Sequence, residues 1–359
     1  MTRLASPATR HILVWLTGAA LLLGGCSHND SVYTGNFEAF GSLVDVTIVG
    51  IPIEKSQDAV RLLEQDFAFM QEAWNPARPG PLTLTNHMLL EGSPFSAPPS
   101  ILPLVNLARE YAKVSDGMLN PAQGNLVRLW GFYDVNCEDF RPPDEHAIAN
   151  TLAGTPRMDD LEIDGFVVRT SNSQVALDFD SFVHGYAIDE SIRRLREMGI
   201  EDALINVGGD VRAIGSRAGH PWNVPIRRSD GTGVLATLDV SGDRSIVTVG
   251  ESERFLTWKG IHYHAILDPR TGYPAEGTRS VTVVHQDAAT AEAAANALFI
   301  AGPEHWPVVA HRMGVEEVIL VDDEGVLHMT PALHGRLRFL EKPKKIRTVQ
   351  PAGDANPAT

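Results

Sequence analysis

The sequence predicts an α+β fold of mixed and antiparallel sheets flanked by helices. Several segments repeat apolar residues at helical spacing, as Val60, Leu63, Phe67 and Met70 do. Others, such as 222–227, 234–240 and 245–249, read as short strands separated by Gly/Asp turns rather than by helices. The two kinds follow one another without the regular alternation of a doubly wound sheet.

At the N-terminus, Arg3 and Arg10 precede an apolar run from Ile12 to Leu23, and Gly24-Gly25-Cys26 follows. A basic start, an apolar centre and small closing residues are the layout of a secretory signal, here residues 1–25. The run is shorter than the roughly 20 apolar residues that span a bilayer. Residues 26–37 read as a polar tether, and the folded domain as 38–341. Phe40-Gly41-Ser42 leads into a strand in which Val44, Val46 and Ile48 share one face. Ser56 is the expected cap of the first helix, which stops before Trp74-Asn75-Pro76. A Pro/Gly-rich loop follows to Pro81, with Leu84-Thr85-Asn86 after it. A second helix is expected from Ser100 to Ser115, with Pro103 in its first turn and Gly117 just past its end. Asp144 opens a short helix that Gly154 closes, and Leu161 to Val168 reads as a hairpin turning on Asp164-Gly165.

Leu177 to Asp210 organises the middle of the chain. It reads as a strand, a loop, a helix with Ile188, Ile192 and Leu195 on one face, and a strand from Ala203 to Val207 that ends at Gly208-Gly209-Asp210. A helix starting near Gly185 directs unpaired amides at the preceding loop, which suits a phosphate. An ordinary strand–helix–strand unit reads the same way. Beyond the three Gly/Asp-linked strands, His262 to Leu267 is a strand running into the turn Asp268 to Pro274. A strand at 279–285 then precedes an Ala-rich helix at 288–300, for which Asp287 is the expected cap. Val315 to Val321 and Val326 to Met329 form a last hairpin. The Lys/Pro-rich and then polar residues 342–359 read as a disordered tail. No repeat at a fixed period is present.

With 359 residues and 43% hydrophobic content the chain can bury a full core. Its formal charge is −15, and removal of 1–25 would take away Arg3 and Arg10 as well. Nucleic acid is therefore excluded as a partner, because binding a phosphate backbone needs a basic face. Only Cys26 and Cys137 are present, so no disulfide framework is expected. Glu138 and Asp139 disfavour a thiolate at Cys137.

Glu292 and Asn296 lie four apart on the Ala-rich helix and present a carboxylate and an amide from one face. That pair suits a hard cation such as Mg2+, although Glu near a helix start is also favourable by itself. His262 and His264 face the same way on their strand, but no further Cys or His completes a zinc site nearby. No phosphate-binding Walker loop, dinucleotide fingerprint, serine elbow or zinc-protease motif occurs.

The order of segments resembles the ApbE family. Phe40-Gly41-Ser42, Leu84-Thr85-Asn86, Asp116-Gly117, Leu129-Trp130-Gly131-Phe132, Asp178 to Asp189, Asn206 to Asp210 and His264 to Gly272 carry the likeness, collinear over roughly residues 38–330. These are exported FAD:protein FMN transferases, often lipoproteins, that use FAD as substrate with Mg2+. They move the FMN half onto a threonine of a membrane flavoprotein and release AMP. The resemblance implies an ApbE-like, T-fold-related architecture. It implies FAD contacts at Phe40, Trp74, Met118, Leu119, Asn120, Asp178, His184 and Ile266, and metal binding at Ser181, Glu292 and Asn296. It also implies His264 as the group that takes the acceptor proton. Leu23-Gly24-Gly25-Cys26 resembles a bacterial lipobox, implying lipid on Cys26 and anchorage to a membrane facing the periplasm. Glu292 and Asn296 stand where the family usually offers Asp and Thr, Asn120 where it has Asp, and His184 where it has Lys or Glu. A flavin-binding lipoprotein without chemistry, and a hydrolase giving FMN and AMP, are the alternative readings.

Overall fold

The computed structural model describes residues 31–134 and 140–352. The signal segment, Cys26, Cys137 and the last residues of the tail lie outside the described residues. Strand β1 (Val32–Ala39) turns through Phe40 and Gly41, at φ 53° and 70°, into antiparallel β2 (Ser42–Val49). A left-handed Phe costs about 1–2 kcal/mol, and Gln71 stabilises the turn by accepting the Phe40 N–H. β1 occupies much of the stretch that composition reads as a tether. Its polar residues reflect an edge strand with one exposed face, not an unstructured linker.

Helix α1 (Ile53–Ala73) starts after Pro52, and Ser56 lies inside it, its hydroxyl donating to Pro52 O at 3.3 Å instead of capping. Its buried face carries Val60, Leu63, Phe67 and Met70, as the spacing predicts. The segment holding Leu84-Thr85-Asn86 is helix α2 (Pro81–Glu91), opened by Pro at its first position and by Thr83 Oγ1 accepting the Gly80 N–H at 2.9 Å. Only Leu82, Thr85 and Leu89 of it are buried, so no broad apolar stripe announces it. A short strand β3 (Phe95–Ser96) precedes α3 (Leu102–Val114), α4 (Gly124–Leu129) and α5 (Glu145–Ala153), the last capped by Asp144 Oδ1 accepting from Ala147 N at 2.8 Å. β4 (Leu161–Asp164) and β5 (Val167–Thr170) form the expected hairpin, and β3 joins it in a small sheet.

Then come α6 (Val183–Glu197), β6 (Ala203–Val207) and β7 (Asp210–Ile214). β8 (Trp222–Arg227), β9 (Val234–Val240) and β10 (Arg244–Gly250) follow the three predicted strands closely. A ribbon of β11 (Phe255–Trp258) and β12 (Ile261–His264) leads through the Asp268–Pro274 turn to β13 (Thr278–His285). Helix α7 (Ala288–Arg312) is interrupted at Gly302, at φ 75°, and resumes at Pro303. The sequence-based end at Ile300 thus marks its first segment. β14 (Glu317–Asp322) and β15 (Leu327–Met329) form the last hairpin, followed by β16 (Leu337–Phe339) and β17 (Ile346–Thr348). β17 corrects the expectation of disorder from residue 342 on. Ile346, Arg347 and Thr348 pair with β15 though all three remain exposed, and Val349 packs on the core.

Nine strands make one sheet in the order β1-β2-β6-β7-β10-β13-β14-β15-β17, antiparallel except for β15 and β17. Helices α1, α6 and α7 bury their apolar faces on one side in the main core. On the other side a three-stranded sheet, β16-β9-β8, closes a second core around Trp222, Val224 and Leu238. The β11–β12 ribbon packs through Trp258 and Tyr263 on a third cluster centred on Trp130. Among the described residues no helix is long and apolar enough to cross a membrane.

Candidate active site

A cavity of about 660 Å³ opens where the ends of the large sheet, the start of α6 and the middle of α7 meet. The β1–β2 turn brings Phe40, and the segment after α3 brings Met118, Leu119 and Asn120. The loop before α6 brings Asp178, Asp180, Ser181 and His184; α7 brings Glu292 and Asn296; Ile266 closes the wall after β12. Ten of the twelve sequence-derived FAD, metal and proton-transfer positions therefore line one space.

The other two stand behind its walls. Trp74 is buried, stacks on Phe40 with ring centres 6.3 Å apart, and donates Nε1–H to Ser100 O at 2.9 Å. It supports the ring that faces the cavity instead of facing it. His264 is also buried, packed edge-on against Phe299, with Nε2 2.9 Å from Ala275 O. A carbonyl only accepts, so Nε2 carries the proton and Nδ1 is the bare nitrogen, buried without a partner. Burial keeps this ring below the usual histidine range. The role expected of His264 is therefore corrected: its neighbours Ala265 and Ile266 reach the cavity, and its own side chain does not.

The carboxyl groups of the cavity are crowded and dry. Asp178 accepts the Tyr133 O–H at 2.5 Å and the Asp180 N–H at 2.8 Å, yet burial and the Asp180 charge raise its pKa to about 6. Asp210, at the end of the Gly-Gly turn, is pushed well up by burial and by the charges of Glu292 and Glu253. Burial, opposed by Arg227, lifts Glu253 to about 7. For His184, burial disfavours the cation, but the hydrogen bond and charge of Glu292, with Asp180 and Asp210, outweigh it and raise the pKa to about 9. Arg227, Arg228 and Arg254 bring positive charge to the same wall, and Arg254 donates to Asp180 Oδ2 at 2.6 Å and to Phe132 O.

Sequence reasoning missed most of these. Asp210 was visible only as a turn residue, and Tyr133, Glu253 and the three arginines sit in no motif. Their signal is spatial, a set of charges gathered from five segments.

The residues fit a hard divalent cation. Glu292 is 3% exposed, with Oε2 accepting the Gly185 N–H at 2.7 Å and Oε1 3.1 Å from His184 Nδ1, and each oxygen keeps a further lone pair. Both Nδ2 hydrogens of Asn296 are used, donating to Ser181 O and Glu292 O at 3.1 Å each, which leaves its Oδ1 as the free ligand atom. One carboxylate and one amide oxygen, completed by phosphate and water, form an Mg2+ donor set. Among the described residues no cluster of three His, Cys, Asp or Glu offers another metal site.

The ApbE family model matches residues 40–319. The chain belongs to the ApbE family. An FAD:protein FMN transferase of Rhodobacter capsulatus is 36% identical over 306 residues, covering 85% of this chain but only 58% of that protein. The FAD:protein FMN transferase of Vibrio cholerae is 29% identical over 237 residues, covering 65% of this chain and 70% of its own. Among solved structures, the ApbE protein of Thermotoga maritima superposes with a TM-score of 0.77 at 25% identity, over 84% of this chain and 98% of that one. The apo Pseudomonas stutzeri flavinyl transferase ApbE, at 24% identity, shares the fold with a TM-score of 0.73 over 85% and 96% of the two chains. The α+β architecture is thus that of ApbE proteins.

Proposed function

We propose that this ApbE protein transfers the FMN half of FAD to a threonine hydroxyl of an acceptor flavoprotein and releases AMP. The observation that carries the reading is one cavity lined both by Glu292, Asn296 and His184 and by Phe40, Met118 and Ile266, while the amides of Val183, Gly185 and Tyr186 at the start of α6 are already bonded within the protein. The polar lining offers a place for a pyrophosphate, and the apolar lining a face for a flavin ring.

In the reaction, the threonine oxygen bonds to the phosphorus that carries riboflavin, and the bond from that phosphorus to the AMP oxygen breaks. The hydroxyl proton passes to a cavity carboxylate, for which Asp210 and Glu253 are placed, and AMP leaves with the bonding pair. Mg2+ on Glu292 and Asn296 would neutralise the pyrophosphate charge. The chain's own residues hold the flavin end, exclude water and set the direction of approach. Export and lipid on Cys26 complete the proposal, placing the enzyme at a bacterial membrane facing the periplasm. Its acceptors are then membrane flavoprotein subunits.

The test is nucleotide release by protein beginning at Ser27, with FAD and Mg2+ and with Glu292→Ala as control. AMP that depends on Glu292 is expected, with FMN appearing on an acceptor protein when one is supplied. FMN appearing only free would reveal a hydrolase. FAD bound but unchanged, acceptor included, would leave a flavin-binding lipoprotein.

A further inference from the structure

We infer that Asp189, fixed by Arg212, is the positioning residue that sets the metal-binding face of α7 against α6. The inference rests on Glu292 and Asn296 being the metal-binding pair. Asp287, the residue that precedes α7, makes no side-chain bond to the start of its own helix. Asp189 of α6 does this instead: Oδ1 accepts the Ala288 N–H at 2.8 Å and Oδ2 the Ala289 N–H at 3.0 Å. One turn earlier on α6, the Gly185 N–H is taken by Glu292, one turn further along α7. Each helix start therefore receives a carboxylate from the other helix, and the two contacts together fix both spacing and register.

Two further features show how tight this crossing is. A Cβ on Gly185 would stand 2.3 Å from Ala288 O and 2.6 Å from Ala289 N, so the two backbones touch where the helices cross. Arg212, on β7 and 5% exposed, donates to Asp189 and also to both oxygens of Asp243, at 2.9 and 3.0 Å. The sheet thereby holds Asp189, and Asp189 holds α7. Asp243 shares this ion network, being bonded to Arg212 and Arg196, without bonding to α7. It separates a loss of stability from a loss of position.

The experiment compares Asp189→Asn with Asp243→Asn. Asn offers one acceptor where two amides need one each, and turns an NH2 toward the other. Mn2+ binding in the presence of FAD is read by loss of the free-ion EPR signal, and Tm is recorded alongside. Both variants should melt earlier. Only Asp189→Asn should weaken Mn2+ binding, by about tenfold or more, with Asp243→Asn within twofold of wild type. Equal Mn2+ affinity in wild type and Asp189→Asn, or equal weakening in both variants, overturns the inference. If Asp189→Asn does not fold, Gly185→Ala displaces α7 from the other side with Asp189 intact, and unaltered Mn2+ binding there overturns it too. A wild type that takes up no Mn2+ removes the metal-binding premise itself. AMP release by an intact wild type under the same conditions tells that failure apart from failure of the transferase reading.

Discussion

Replacing Gly185 by alanine adds one methyl group at the place where α6 and α7 cross. The three atoms it would meet, at 2.3, 2.4 and 2.6 Å, are all backbone of Ala288 and Ala289, so no side-chain rotation relieves the clash. An ordinary carbon contact needs roughly 3.4 Å or more, so α7 must move away by about 1 Å. That movement stretches the 2.7 Å bond from Gly185 N–H to Glu292 and the two bonds that Asp189 accepts. Overpacking of a tight core costs about 1–3 kcal/mol, and a hydrogen bond to a charged group is worth about 1.5–3 kcal/mol. Partial loss of these bonds puts the total near 3–5 kcal/mol. With about 2 cal/mol/K of unfolding entropy per residue, a domain of this size should melt roughly 5–8 °C lower. With Glu292 as the proposed Mg2+ ligand, AMP release should fall much further, because Mg2+ is strict about ligand distance. The assay pairs a thermal melt with AMP chromatography. A variant melting within 1 °C of wild type at full activity would refute the close approach of the two helices.

Three other outcomes are expected. Burial disfavours ionised Asp322, but the His328 ring at 2.8 Å and the Val326 N–H outweigh that and hold its pKa below the usual range. Its stabilising contribution is therefore complete above the ordinary carboxylate range and lost as pH falls through the depressed value; Asp322→Asn should flatten Tm against pH on the acid side only. FAD binding without metal should weaken several-fold as pH rises through about 6 and 7, where Asp178 and Glu253 ionise and repel the pyrophosphate. Glu253→Gln should remove the upper part of that dependence in a flavin fluorescence titration, and an unchanged profile counts against a shared cavity. His264→Ala should lower Tm through its lost contacts to Phe299 and Ala275, while AMP release stays within a few-fold of wild type; abolished turnover in a folded variant would restore the ring to the chemistry.

What the sequence made legible was whatever local periodicity or turn chemistry controls. The faces of α1 and α6, the existence of the 161–168 hairpin (which turns on Gly165-Phe166, one residue later than expected) and the strand ending at Gly208-Gly209 follow from spacing and turn residues. α2 stayed hidden because it buries only three residues, and β1 because an edge strand tolerates the polar residues of a linker. In the site, collinear resemblance located residues by position along the chain but not by direction. His264 and Trp74 fall in the right segments with their side chains behind the wall. Glu253, Asp210 and Arg212 needed three dimensions, since each gains its meaning from partners such as Asp189, Glu292 and Arg227 that lie on other elements, or from burial that no spacing records.

Strand β1 begins at Val32, only a short step beyond Cys26. With lipid on that cysteine, residues 27–31 could reach at most about 18 Å, at up to 3.6 Å each. The eight residues of β1 then lead to Phe40 at the cavity, roughly 27 Å further along at about 3.4 Å per residue. An enzyme anchored in the proposed way would patrol a layer only a few nanometres deep. An acceptor threonine carried on a long soluble arm would rarely enter that layer, whereas one held just above the bilayer would be met by lateral diffusion. If the proposed lipid on Cys26 is present, inserting residues between Cys26 and Val32 should widen the range of heights at which a threonine can be modified, leaving the chemistry of the cavity untouched.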